Sequence, residues 1–278
     1  MSKGTWIALV IALFALVVGG AWYWYRDRPP QDFDTVAPTA APSPTAMPTL
    51  DPASIEYPVT PDEEDSGEAA EPTPAPEPLP PLDDSDAQAR AMLERAYGAA
   101  PVEAFLVPGR LVRHIVATVD SLDREPVRLK QRPVVHVRGP VVVDTAGESL
   151  YLGERNYERY DAYVSAFDAL DSSVLVGGYL RYYPLFQRAY QELGYPQGYF
   201  NDRVVAVIDH LLATPEVDRP LRLLRPKVLY TFADREIEDL SWGRKTLIRM
   251  GPAHAATVKR KLAEIRAQIV ERSGARSE

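Results

Sequence analysis

The chain has 278 residues, 46% of them hydrophobic, with 26 Pro, 16 Gly, no Cys and a formal net charge of −8. The absence of cysteine excludes a disulfide framework, a thiol nucleophile, a Cys-ligated zinc or iron–sulfur site, and a lipid on an N-terminal cysteine. The totals average three unlike pieces: an uncharged apolar run near the start, an acidic Pro-rich stretch, and a remainder of ordinary globular composition.

Residues 1–28 form the first piece. Gly4 to Tyr25 carries no charge over 22 residues, which as a helix reach about 33 Å, enough for a hydrocarbon core of about 30 Å. Trp22, Tyr23, Trp24 and Tyr25 precede Arg26 as an interfacial aromatic belt does, and Trp6 can mark the other interface. A cleaved secretory signal is the competing reading, with Lys3 as its basic start and Val18, Gly19 and Gly20 near a cut before Ala21. The run continues past that site into the aromatics, which favours one uncleaved transmembrane helix. Lys3 on one side and Arg26 with Arg28 on the other leave orientation nearly balanced. A short tail ahead of a long acidic stretch fits a signal anchor with the C-terminal domain exported.

Residues 29–86 hold 15 prolines and 14 Asp or Glu, including Asp62, Glu63, Glu64 and Asp65, and no Lys or Arg. Such a stretch cannot bury a core and is expected to be a disordered, self-repelling linker. As a flexible coil it spans roughly 40–45 Å, and as extended polyproline II at most about 180 Å. It reads as a spacer, or alternatively as a Pro-rich docking segment. Without it, residues 87–278 carry 28 basic and 24 acidic residues. That small excess, with no finger, P-loop or RNA-binding signature, argues against nucleic acid as partner.

Residues 87–278 are long enough for one domain, and the pattern predicts a mainly α, multi-helix globular domain with a small β-hairpin. A first helix starts at Asp86, runs through Met92, Leu93 and Tyr97 and stops at Gly98; Leu111, Ile115, Val116, Val119 and Leu122 space a second. Between Pro133 and Leu152 the valines at 134, 135, 137 and 141–143 favour strands, with Thr145–Gly147 turning into Leu150–Leu152. Helices resume from Asn156, with Tyr160, Val164, Phe167 and Leu170 on one face, and again through Leu175, Tyr179, Tyr182, Phe186, Tyr190 and Leu193. Pro184 must kink that run or start a new helix after it. Asn201 is expected to cap a helix through Val204, Val207, Ile208, Leu211 and Leu212. Val228 to Phe232 reads as extended, Asp234 as the cap of a short helix, and Pro252 as the start of a last one. Its apolar stripe is Val258, Leu262, Ile265 and Ile269, with Lys259, Arg260, Lys261, Glu264 and Arg266 toward water.

The segments Leu111–Asp120, Tyr183–Pro196, Tyr199–Arg203, Val207–Leu212 and Leu247–Gly251 resemble the proteobacterial domain of unknown function numbered 3014. The resemblance covers about Phe105 to Arg266, and the single apolar segment with a Pro-rich linker is similar to that family's layout. It implies a membrane-anchored bacterial envelope protein and carries over no catalytic residue.

Ten tyrosines fall between Tyr151 and Tyr199, which can line a groove for sugar or peptide but at helical spacing read first as a core stripe. The stronger candidate is the turn and helix start Tyr195 to Arg203, where Tyr195, Tyr199, Asn201, Asp202 and Arg203 stand at a helix N-terminus able to meet a carboxylate or other anion. Tyr183 adjoins it, and Asp209 and His210 lie two turns on, so His210 shares the face of Arg203. Capping and ion pairing are the plainer roles of these residues. No zinc-type histidine pair and no Gly-x-Ser-x-Gly signature occurs, so no catalytic residue, metal or cofactor is assigned. Glu154 and Glu158 read as exposed helix charge. The pattern as a whole points to a non-enzymatic binding or scaffolding domain, held by Gly4 to Tyr25 in a bacterial inner membrane, with its C-terminal domain in the periplasm. It would engage an envelope protein or a cell-wall component. A cell-wall or glycan-acting enzyme is the alternative, and the sequence leaves the oligomeric state open.

Overall fold

The structure, a computed structural model, describes residues 55–59, 78–97, 99–135, 137, 139–217 and 219–273. The expected membrane segment and most of the linker lie outside these. Among the described residues no helix is long and apolar enough to cross a membrane.

The chain enters through a 3₁₀ turn, Leu82–Asp84, into α1 (Ser85–Tyr97), followed by α2 (Ala99–Phe105) and α3 (Leu111–Ser121). Asp86 in the first turn of α1 does more than begin a helix: its carboxylate accepts from the backbone N–H of Arg110 and, at 2.7 Å, of Leu111, so one helix supplies the missing acceptors of another. A 3₁₀ stretch, Glu154–Tyr160, stands where a regular helix was expected from Asn156, and leads into α4 (Asp161–Asp168). The long α5 (Ser172–Leu193) is capped by Asp171, whose side chain accepts from Ser173 and Val174 N–H, and it runs through Pro184 without starting anew. Pro184 is exposed, so the hydrogen bond it cannot make is lost on the wet side. Next come α6 (Phe200–Leu212), α7 (Arg235–Glu238), α8 (Trp242–Arg249) and α9 (Pro252–Arg272).

The apolar stripes find one another. In the main core α3 packs on α5 and α6, and α9 lies across α4, α5, α6 and α8. Val116, Phe167, Val176, Leu247, Met250, Val258 and Leu262 are fully excluded from water. The stripe expected on α9 is the one observed, with one correction: Lys261 is buried, and its ammonium donates to the Leu170 carbonyl at 2.7 Å. It borders the stripe, and its four-carbon stem packs there while the head finds an acceptor inside. The tyrosine-rich stretch is mostly core: Tyr160, Tyr163, Tyr179, Tyr182, Tyr183 and Tyr190 are all buried.

The β element is larger than a hairpin. Strands β1 (Val143–Ala146), β2 (Ser149–Leu152), β3 (Arg222–Leu224) and β4 (Thr231–Phe232) form an antiparallel sheet in that order. The expected turn is present, with Gly147 at φ +60° between Ala146 and its partner Ser149. Leu223 pairs with Leu150 on one side and Phe232 on the other. Those residues, with Leu152, Leu221, Ile237 and Ile248, make a second, smaller hydrophobic cluster. Adjacent residues of α8 serve both: Leu247 points into the main core and Ile248 into the sheet's cluster. Of the valines upstream, Val134 makes only an isolated bridge, to Leu106.

Candidate functional site

The candidate residues gather around the start of α6, where they divide into three groups. Asn201 is not the cap expected of it. The N-cap position is Tyr199, and Asn201 lies inside the first turn, fully buried. The helix needs no side-chain cap because α5 provides acceptors: Phe200 N–H donates to Gln187 Oε1 at 2.8 Å, and Asn201 N–H meets the Tyr183 hydroxyl at 3.4 Å. Tyr183 in turn donates to Gln187 Oε1, and burial pushes its phenol far above the ordinary tyrosine value. The N–H groups that the sequence offered to an external anion are therefore partly committed inside the fold.

The second group is an ion-pair network. Arg203 donates through Nε to Asp120 at 2.8 Å and through both terminal nitrogens to Asp123 at 2.7 and 2.6 Å, tying α6 to the end of α3. Tyr195, stacked on Tyr190 at 4.5 Å, joins it through its hydroxyl, 3.1 Å from Asp120 and from Arg124. Burial works against both charges, lowering Arg203 and raising Asp123, but their hydrogen bonds and mutual attraction win, so Arg203 is raised and Asp123 held below the ordinary carboxylate range. His210 stands apart from this. Its Nε2 meets Ser241 Oγ at 2.7 Å, and Ser241 also caps α8. A histidine–serine pair invites comparison with a nucleophile and its base, but the neighbouring acid Asp123 is held by Arg203 rather than by the imidazole. Asp209 pairs with Arg266 of α9. Among the described residues no group of three His, Cys, Asp or Glu could hold a metal ion.

The third group, Tyr199, Asn201 and Asp202, holds a peptide. The peptide is the chain's own segment Ile55–Val59, from the middle of the stretch read as linker. Asp202 accepts the backbone N–H of Tyr57 at 2.9 Å on one oxygen and that of Glu56 at 3.2 Å on the other. Val59 N–H donates to the Tyr199 hydroxyl at 2.5 Å, and Asn201 Nδ2 donates to the Tyr57 carbonyl at 2.9 Å. Asn201 is fixed for this task, since its Oδ1 accepts from Tyr179 and its Nδ2 also donates to Ser273, each at 2.9 Å. Tyr57 and Val59 pack against the main core, and the Tyr57 phenol, raised by its hydrogen bond to Glu56, lies in the field of Arg266 and Asp209. Burial raises the Asp202 carboxyl, and the two peptide N–H groups offset part of that rise. Of the eight candidates only these three touch the segment through hydrogen bonds. The sequence reading missed Ile55–Val59 itself, Gln187, Tyr179 and Ser273.

A family model described as protein of unknown function, DUF3014, matches residues 111–266. The chain belongs to the DUF3014 family. No curated protein and no solved structure matches it. The DUF3014 span contains Tyr199, Asn201 and Asp202 but not the segment they hold, nor Ser273.

The histidines give the domain a pH dependence. Burial lowers both His114 and His210; Arg110 lowers His114 further against Asp86, and Arg244 and Arg203 lower His210 further against Asp123. Below the ordinary histidine value of about 6.5 the unfolded chain takes up protons that the folded one refuses, so stability should fall as pH drops through that value toward the depressed folded ones. Urea midpoints between pH 7.5 and 5.5 should decline for the parent and decline less for a His114→Gln, His210→Gln chain. Equal slopes would remove the histidines as the cause. Asp123 acts lower, its contribution present above the ordinary carboxylate value and lost as pH falls through its depressed one.

Proposed function

We propose that this chain is a membrane-tethered binding or scaffolding domain of the bacterial envelope. In this reading Gly4 to Tyr25 is a single-pass inner-membrane anchor, the Pro-rich acidic stretch a spacer, and the helical domain a periplasmic module that engages an envelope protein or cell-wall component. The observation that carries the binding role is the grip of Tyr199, Asn201 and Asp202 on the main chain of Ile55–Val59. Half-buried Tyr199 and Asp202 and buried Asn201 together present polar groups to a peptide backbone, and main-chain hydrogen bonds of this kind give a recognition surface its affinity. Support for the anchor comes from the uncharged run and its aromatic flank. The glycan-acting alternative places a cleft around Tyr183, Tyr195, Asn201, Asp202, Arg203 and His210; against it, Tyr183 is bonded to Gln187, Tyr195 and Arg203 to Asp120, Asn201 and Asp202 to the Ile55–Val59 segment, and His210 to Ser241.

Complementation of a deletion strain tests the reading. Chains with Asp209→Ala or His210→Ala should restore the parental phenotype, because neither residue is assigned chemistry. A chain lacking residues 30–54 should not, because the domain can no longer reach its partner. Full complementation by the short form would remove the tether from the account, and loss with His210→Ala in a folded chain would bring the enzyme back.

A further inference from the structure

We propose that the start of α6 is a recognition site for short peptides of the form apolar–acidic–tyrosine–proline–apolar, bent at the acidic residue and the tyrosine so that one carboxylate takes both their N–H groups, and that Ile55–Val59 is its resident ligand, displaceable by a partner's segment of the same chemistry. The proposal rests on the binding-domain reading and names its ligand.

The register of the hydrogen bonds is the main argument. The site receives the N–H groups of Glu56, Tyr57 and Val59 and leaves out the one nitrogen between them that has no hydrogen, that of Pro58. Sliding the peptide by one residue in either direction would set that proline against Asp202 Oδ1 or against the Tyr199 hydroxyl, leaving an acceptor unmet. Proline also restricts the conformations of the residue before it, which lowers the ordering cost of Tyr57. Side-chain selection is by partial burial: Tyr57 and Val59 pack against the main core, while Glu56 is exposed and accepts from the Tyr57 hydroxyl at 2.8 Å. Two of the three receiving groups are also held by the fold around them, Asn201 by Tyr179 and Ser273, and Tyr199 by its ring contact with Tyr183 at 5.5 Å.

Displacement is a matter of competition. The resident segment belongs to the same chain as its site, so a competitor meets an intramolecular contest, for which effective concentrations are on the order of millimolar. A partner therefore gains the site only by binding more tightly or by being held nearby, so the resident segment sets a threshold on engagement.

The test uses a fluorescent synthetic peptide covering residues 52–62 and the full chain in detergent. A chain with Tyr57→Ser and Val59→Ser should bind it one to one, with a Kd at least about tenfold below that of the parent, whose own segment competes. Adding Asp202→Ala should abolish saturation, and a peptide with Tyr57 and Pro58 exchanged should bind neither chain. The proposal is overturned if the doubly substituted chain melts like the parent yet shows no saturable binding up to about 2 mM peptide, for the segment is then a fixed part of the fold. Binding that survives Asp202→Ala overturns it as well. So does a parent chain that runs as a dimer dispersed by the double substitution, since the occupant would then come from a second copy. None of these outcomes bears on complementation by the tether variants.

Discussion

Replacing Arg203 by methionine should destabilise the domain by about 3 kcal/mol, the low end of the range for removing one member of a buried ion pair. Methionine keeps much of the volume, so the loss is electrostatic. Asp120 is buried, Asp123 half-buried, and both lose the guanidinium fork that compensates their desolvation. Arg124 still reaches Asp120 at 2.8 Å, which keeps the loss from being larger. For a domain of this size the midpoint of thermal unfolding should drop by roughly 6–12 °C. Arg203→Lys should fall between, retaining the charge without the planar fork. Combining Arg203→Met with Asp120→Asn and Asp123→Asn should recover part of the loss, because neutral groups no longer demand a counter-charge. A single variant melting within about 2 °C of the parent would show that water already compensates the two carboxylates.

Gly251→Ala should cost about 2–5 kcal/mol, from two separable sources. Gly251 ends α8 and begins α9 with φ +87° and ψ 161°, a conformation essentially reserved for glycine. An added Cβ would also stand 2.6 Å from Cγ of Tyr157 and 2.8 Å from two further ring carbons. Tyr157 packs against the cluster under the sheet, so it cannot move aside without opening that contact. Urea denaturation of Gly251→Ala and of Gly251→Ala with Tyr157→Ala separates the sources: the second substitution relieves the collision and leaves the backbone strain. Parental stability in Gly251→Ala would contradict both.

The helices were legible wherever an apolar stripe and a punctuating residue coincided, as in α9 with Pro252 before Val258, Leu262, Ile265 and Ile269. The hairpin was legible from its turn. The rest of the sheet was not, because β3 and β4 are two or three residues long and owe their pairing to Leu150 and to each other. Asn201 misled in the opposite direction. Its residue type suits a cap, but Gln187, fourteen positions earlier, had already supplied the acceptor. The docked segment carried a faint signal of its own: three apolar side chains, Ile55, Tyr57 and Val59, within five residues. Its surroundings in an acidic, Pro-rich stretch hid this, and its acceptors lie about 140 residues away, beyond the reach of any local pattern.

That same segment determines where a mechanical load enters the fold. Tension applied on the N-terminal side arrives first at Ile55–Val59 and is carried by the bonds to Asp202, Asn201 and Tyr199 into the beginning of α6. Pro78 and the turn leading into α1 bear nothing until that grip opens. Under such a load the docked segment stands in series ahead of the helical core.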